Sequence, residues 1–173
     1  MLSCSLSALL PPMKQVLQSY KTGALSVTDV PAPGIEPGAV LVHTRASLVS
    51  TGTERMVMDL AKKSLLGKAK ARPDLVRKLM AKASRDGLMA TIESARRKLD
   101  APLPLGYSSA GVVVAVGEGV EGVPLGARVA CAGAKVANHA ELNLIPQNLC
   151  ALIPEGASDE AASFVTVGSI ALQ

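Results

Sequence analysis

Apolar and polar residues alternate along Ala24-Leu25-Ser26-Val27-Thr28-Asp29-Val30, the two-residue period of a strand with one buried face. A similar strand precedes it over Lys14–Tyr20, with a turn at Thr22-Gly23 between the two. Pro31, Pro33, Gly34, Pro37 and Gly38 then form a rigid loop that leads into a long central strand, Ala39–Val49. Past Thr53 the period lengthens to that of helices. Met56, Val57, Leu60, Ala61 and Leu65 share one face, and Gly67 suits a helix stop. A second helix begins at Pro73-Asp74 over Leu75, Val76, Leu79, Met80 and Ala83. A third carries Leu88, Ile92, Ala95 and Leu99 and ends before Pro102 and Pro104. Strands resume at Ala110–Val116, Ala127–Cys131, Ala137–Leu144 and Leu149–Ile153, after which Ser158 or Asp159 caps a new helix. Many short strands with glycine turns and one helical excursion predict a mainly β fold, a small, partly open β-barrel with an α-helical insertion.

The glycine run Val116-Gly117-Glu118-Gly119-Val120-Glu121-Gly122 matches G-x-G-x-x-G, the pattern that cradles a dinucleotide pyrophosphate between a strand and a helix. The strand is present. The helix is not, because Val123-Pro124-Leu125-Gly126 predicts a turn and then another strand. Without a helix N-terminus, the aligned N–H groups and the dipole that hold phosphate are lost, so these glycines read as a strand–turn–strand connection.

Composition narrows the classes. Half the 173 residues are hydrophobic, yet aromatics are confined to Tyr20, Tyr107 and Phe164, so the core must be aliphatic and no base-stacking platform exists. Cys4, Cys131 and Cys150 form no C-x-x-C pair, which argues against a disulfide framework or a Cys-rich zinc knuckle. No apolar run reaches membrane-spanning length. Residues 1–12 lack a basic n-region and read as a loose tail, so a cytoplasmic location is expected. Charge is unevenly placed. Thirteen Lys and Arg face five Asp and Glu between Arg55 and Pro104, whereas the remainder is acidic and the total is +4.

Taken in order, several stretches resemble the GroES-like domain of the medium-chain dehydrogenases/reductases, the alcohol dehydrogenase and quinone reductase superfamily. Pro33-Gly34-Ile35-Glu36-Pro37-Gly38-Ala39-Val40 resembles its first hairpin, and Gly106-Tyr107-Ser108-Ser109-Ala110-Gly111-Val112-Val113 stands where it has G-H-E-x-x-G-x-V. Val116-Gly117-x-Gly119-Val120 and Leu125-Gly126-Ala127-Arg128-Val129 are similar to its V-G-x-x-V and G-D-R-V. Pro154-Glu155-Gly156 through Ala162 resembles the approach to its nucleotide domain. With the insertion after Ser47–Glu54, the chain looks like the bi-domain oxidoreductases. The resemblance implies a GroES-like domain over 13–163 with a basic helical insertion over 54–104. Residues 164–173 would start the linker to a Rossmann domain missing from this chain.

In zinc-dependent members a Cys, a His and a further Cys hold the catalytic metal, a Lewis acid for the carbonyl or alkoxide oxygen. The resemblance puts Thr51 at the first of these positions, Tyr107 at the second, and Ser108 where the His has a Glu neighbour. No Cys lies near the third, around Ser163–Thr166. Hydroxyl and phenol groups do not replace thiolate and imidazole on zinc, so no metal is expected. Thr53 matches the hydroxyl that relays the substrate proton and Glu54 the acidic residue beside it; equally, both residues fit as caps of the first inserted helix. Tyr107 reads as a hydrogen-bond donor or weak acid in the substrate cleft, or as an anchor in an aliphatic core. The resemblance therefore implies Thr53 and Tyr107 as catalytic candidates, with Thr51, Glu54 and Ser108 lining the cleft. His43 and His139 have no metal or triad spacing and read as structural.

The leading expectation is the substrate-side domain of a zinc-independent NAD(P)-dependent oxidoreductase. NAD(P)H would be held by the missing domain and not by this chain, which would be inactive alone. The basic insertion would steer an anionic small-molecule substrate or serve as a solvated helical lid. Two other readings stay open, a module binding nucleic acid or an acidic partner through the basic helices, and a self-assembling GroES-like co-chaperone. The absence of a nucleic-acid motif or stacking set counts against nucleic acid.

Overall fold

A computed structural model of the chain describes residues 11–19, 22–52, 73, 77, 81, 85, 89 and 101–173. Two compact units are distinguished. The first comprises Met1–Val16, Val27–Val49 and Pro104–Gln173, and the second Leu17–Ser26 and Ser50–Leu103. In chain order the strands are β1 (Met13–Gln18), β2 (Leu25–Val30), β3 (Ala39–Ser47), β4 (Leu103–Pro104), β5 (Ser108–Val116), β6 (Arg128–Ala132), β7 (Leu142–Pro146) and β8 (Cys150–Leu152). Two short helices follow, α1 (Asp159–Ala162) and α2 (Val165–Ala171). A small sheet has the order β2-β1-β4, and a five-stranded sheet the order β7-β3-β5-β6-β8.

The five-stranded sheet is antiparallel throughout and built on the β3–β5 pair. Register shifts between Leu41 and Val42 and between Thr44 and Ala46 place bulges in that ladder. Each bulge adds local twist and bends the strand, which curls the sheet into the expected partial barrel. Its inner face carries the core: Val40, Val42, Val113, Val129, Cys131, Ala137 and Ile145, packed against Val120, Val123, Val136 and Leu149. That core is aliphatic, as the shortage of aromatics requires.

The glycine run is a strand–turn–strand connection, with no helix after it before β6. Gly117 shows why the glycine is needed. Its N–H donates to the Ala39 carbonyl at 2.9 Å, and the Gly38 N–H donates to the Glu118 carbonyl at 2.7 Å. A Cβ on Gly117 would collide with the Glu36 carbonyl oxygen. The glycine lets two backbones touch.

One predicted strand is corrected. Ala137–Leu144 is extended only from Leu142, and an isolated bridge from Gln15 to Ala140 is the sole pairing before it. Side-chain chemistry accounts for the difference. The Asn143 carboxamide accepts from the Asn138 N–H at 3.1 Å, and it donates to the Asn138 carbonyl and the Thr44 hydroxyl, each at 3.0 Å. A side chain that satisfies nearby backbone groups offers an alternative to the ladder. Of the inserted helices, Pro73, Arg77, Ala81, Arg85 and Met89 are helical and exposed. Arg85 lies between the apolar positions assigned to the second and third helices. The other residues of those helices, with Cys4 and Tyr20, lie outside the described residues. Among the described residues, no helix is long and apolar enough to cross a membrane.

Asn143 is 3% exposed, so replacing it with Ala strands buried partners as well as deleting three bonds. Asn143→Ala is expected to cost about 2–3 kcal/mol in urea unfolding. Gly117→Ala should cost at least about 2 kcal/mol by the same measurement, through the collision with Glu36.

Candidate functional site

Tyr107 and Ser108 stand at the start of β5, placed there by a tight approach just before them. Gly106 adopts φ +97, and a Cβ on it would sit 2.7 Å from the His139 nitrogen. The His139 N–H donates to the Leu105 carbonyl at 2.8 Å. The Tyr107 carbonyl accepts from the Gly133 N–H at 2.9 Å and the Thr166 hydroxyl at 3.2 Å. Its side chain is half-buried.

Ser108 is 0% exposed, and its hydroxyl is fully committed. It donates to the Ser163 carbonyl at 2.6 Å and accepts from the Thr166 N–H at 3.3 Å. The main-chain carbonyl of Ser108 takes the Leu48 N–H at 3.0 Å. Ser108 thus ties the start of β5 to the segment between α1 and α2. The positions Tyr107-Ser108 and Ser163–Thr166, 55 or more residues apart in sequence, are brought into direct contact.

A second tie reinforces this one. Arg128, on β6, directs Nε and Nη2 at Asp159 Oδ1, at 2.9 and 2.8 Å, while Nη2 also reaches the Ala157 carbonyl at 2.8 Å. Ser158 is the N-cap of α1, its hydroxyl accepting from the Ala161 N–H at 3.1 Å. Asp159 and Glu160 in the first turn complement the helix dipole. The arginine of the Gly126-Ala127-Arg128-Val129 stretch therefore holds the start of α1 against the barrel. Sequence inspection missed both ties. A Ser-Ser pair opening an apolar strand, and an arginine at its paired strand, were the available signals.

Thr51 is exposed, at the start of a helical segment in the second unit. Thr53 and Glu54 lie outside the described residues. His43 is exposed on β3, and His139 Nδ1 is 2.9 Å from the Ser47 hydroxyl. That pair borders a shallow notch of about 230 Å³ with Val16, Val27 and Thr44. Nearby, Lys14 is committed to Asp29 at 3.0 Å. Among the described residues, no group of three or more His, Cys, Asp or Glu is placed to hold a metal ion.

Beyond Ser163 the surface turns apolar. Phe164, Val167, Ile170 and Leu172, on or beside α2, are all exposed, Leu172 at 90%.

Ser108→Ala leaves the Ser163 carbonyl and the Thr166 N–H without their buried partner, so a loss of about 1–3 kcal/mol is expected. Amide hydrogen exchange should locate the loosening at residues 163–166, with the β3–β7 ladder unchanged.

Comparisons with known proteins agree with this geometry. Residues 78–170 match the family model of the alcohol dehydrogenase GroES-like domain. No curated protein matches the chain. A short chain alcohol dehydrogenase from E. coli, solved with its cofactor NADH, superposes with a TM-score of 0.63 at 19% identity, over 94% of this chain and 44% of that one. The human synaptic vesicle membrane protein VAT-1 homolog-like protein gives 0.58 at 18%, over 91% and 42%. A quinone oxidoreductase from Pseudomonas syringae gives 0.57 at 20%, over 87% and 36%. At these identities the likeness is one of fold, and the chain spans about two fifths of the length of these structures. With a family model matched over more than half its length and a barrel of the corresponding fold, the chain belongs to the alcohol dehydrogenase GroES-like domain family.

Proposed function

We propose that this chain is the substrate-side domain of a zinc-independent NAD(P)-dependent oxidoreductase, completed by a nucleotide-binding domain. The observation that carries the reading is the pair of ties joining the start of β5 to α1 and α2, through Ser108 and Arg128. They fix Tyr107 beside a helix whose apolar face is open to a partner. Hydride transfer requires a nicotinamide at contact distance from the substrate carbon, and one domain supplies one wall of such a cleft. Family membership and the two-fifths share of the solved relatives support that division.

Zinc independence rests on donor chemistry. The residues matching the metal-ligand positions are Thr51 and Tyr107, with Ser163–Thr166 at the third, and none offers a thiolate or imidazole. Polarising the substrate oxygen without a metal falls to hydrogen-bond donors, for which Tyr107 and Thr53 are the candidates. The net positive insertion favours an anionic substrate through long-range attraction.

The reading is tested first by the coding sequence past Gln173, which should encode a strand followed by G-x-G-x-x-G and a helix. In that longer protein, NAD(P)H oxidation by a panel of aldehydes and quinones should survive exhaustive chelation. Tyr107→Phe should lower kcat/KM by about 10-fold or more. Stoichiometric zinc in the purified protein, or dinucleotide-dependent turnover by the 173-residue chain alone, would overturn the proposal.

A further inference from the structure

Cys131 and Cys150 are remote in sequence but stand directly opposite each other in the β6–β8 register. The Ile153 N–H donates to the Arg128 carbonyl at 2.9 Å, so 128/153 is a hydrogen-bonded pair of this antiparallel ladder. Alternation then makes 130/151 hydrogen-bonded and leaves 131/150 at a non-hydrogen-bonded position. At such a position the Cα atoms approach to about 4.5 Å and the two side chains rise from the same face. A disulfide spans Cα separations of about 4.4–6.8 Å. Both cysteines pack in the same aliphatic cluster, Cys131 fully buried and Cys150 half-buried, and both are free thiols.

We propose that Cys131 and Cys150 are an oxidisable pair that closes to a cross-strand disulfide, clipping β8 to the barrel. β8 has three residues and lies at the edge of its sheet, so the bond would fix the last strand before α1 and α2. The oxidant is a small-molecule disulfide such as oxidised glutathione. The Cys150 thiolate, on the accessible side, attacks one sulfur of the oxidant and releases one thiol. The Cys131 thiolate then attacks the Cys150 sulfur and expels the second. One external disulfide is reduced to two thiols, and the two protein thiols lose their protons and two electrons.

Burial sets the pace. It pushes the Cys131 thiol up to about 12, with the nearby Cys150 contributing, and it also raises Cys150. Thiolate is the attacking species, so closure is slow at neutral pH and quickens as pH rises.

The test incubates the reduced 173-residue chain with excess oxidised glutathione at pH 9, followed by acid quench, denaturation and alkylation. The expected result is loss of the Cys131 and Cys150 thiols, a peptide linking the two, and in the Cys4→Ser variant a mass lower by about 2 Da, all reversed by dithiothreitol. Cys4→Ser should give the same linked peptide. A linked peptide containing Cys4, three alkylatable thiols, or a glutathione adduct persisting on Cys150 would each overturn the proposal.

Discussion

Bending of the β3–β5 ladder is the constraint on which the rest of this domain depends. Two bulges in the pairing of these nine-residue strands turn what would be a flat ribbon into a curved sheet. Only a curved sheet can gather Val40 and Val42 from one strand, Val113 from the next, and Val129 and Cys131 from a third around Ile145. Among the described residues this core holds no aromatic ring, so small aliphatic side chains close it by curvature rather than by bulk. Gly117 belongs to the same constraint, because it lets the Pro33–Gly38 loop lie directly on the end of the ladder.

The end of the domain where β5 begins is secured by polar bonds laid over that core. Ser108 is buried in the strand yet fully satisfied, and that removes the usual cost of a polar group in an apolar interior. Arg128 and Asp159 are part-exposed, so their ion pair adds geometry more than energy. Together they make α1 and α2 a continuation of the barrel. Tyr107, whose carbonyl takes the Gly133 N–H and the Thr166 hydroxyl, inherits its position from this arrangement.

How much of this was legible in the sequence depended on the range of each interaction. The strands at 24–30 and 110–116 and the cap at Ser158 are local signals that agree in position with the structure to within a residue or two. The buried face expected from the alternation at 24–30 is not found, since Leu25 and Val27 on β2 are both exposed. The glycine run was legible because a turn, not a helix, follows it. The stretch 137–144 was misjudged because Asn143 captures backbone groups five residues away, which an apolar pattern does not report. The Ser108–Ser163 and Arg128–Asp159 ties, and the Cys131–Cys150 register, cross 19 to 55 residues and depend on strand order, which no single segment encodes. Ser108 is a fastening inside the fold, and Thr51 belongs to the other unit.

The two outer strands of the five-stranded sheet have a consequence for how this chain meets others. β7 is five residues long and ends in Pro146, which has no N–H to offer, and β8 has only three residues. Few main-chain groups are therefore left to recruit an incoming strand. The exposed apolar side chains Val167, Ile170 and Leu172 stand on or beside α2. Copies of this chain would therefore meet through α2 more readily than through β7 or β8.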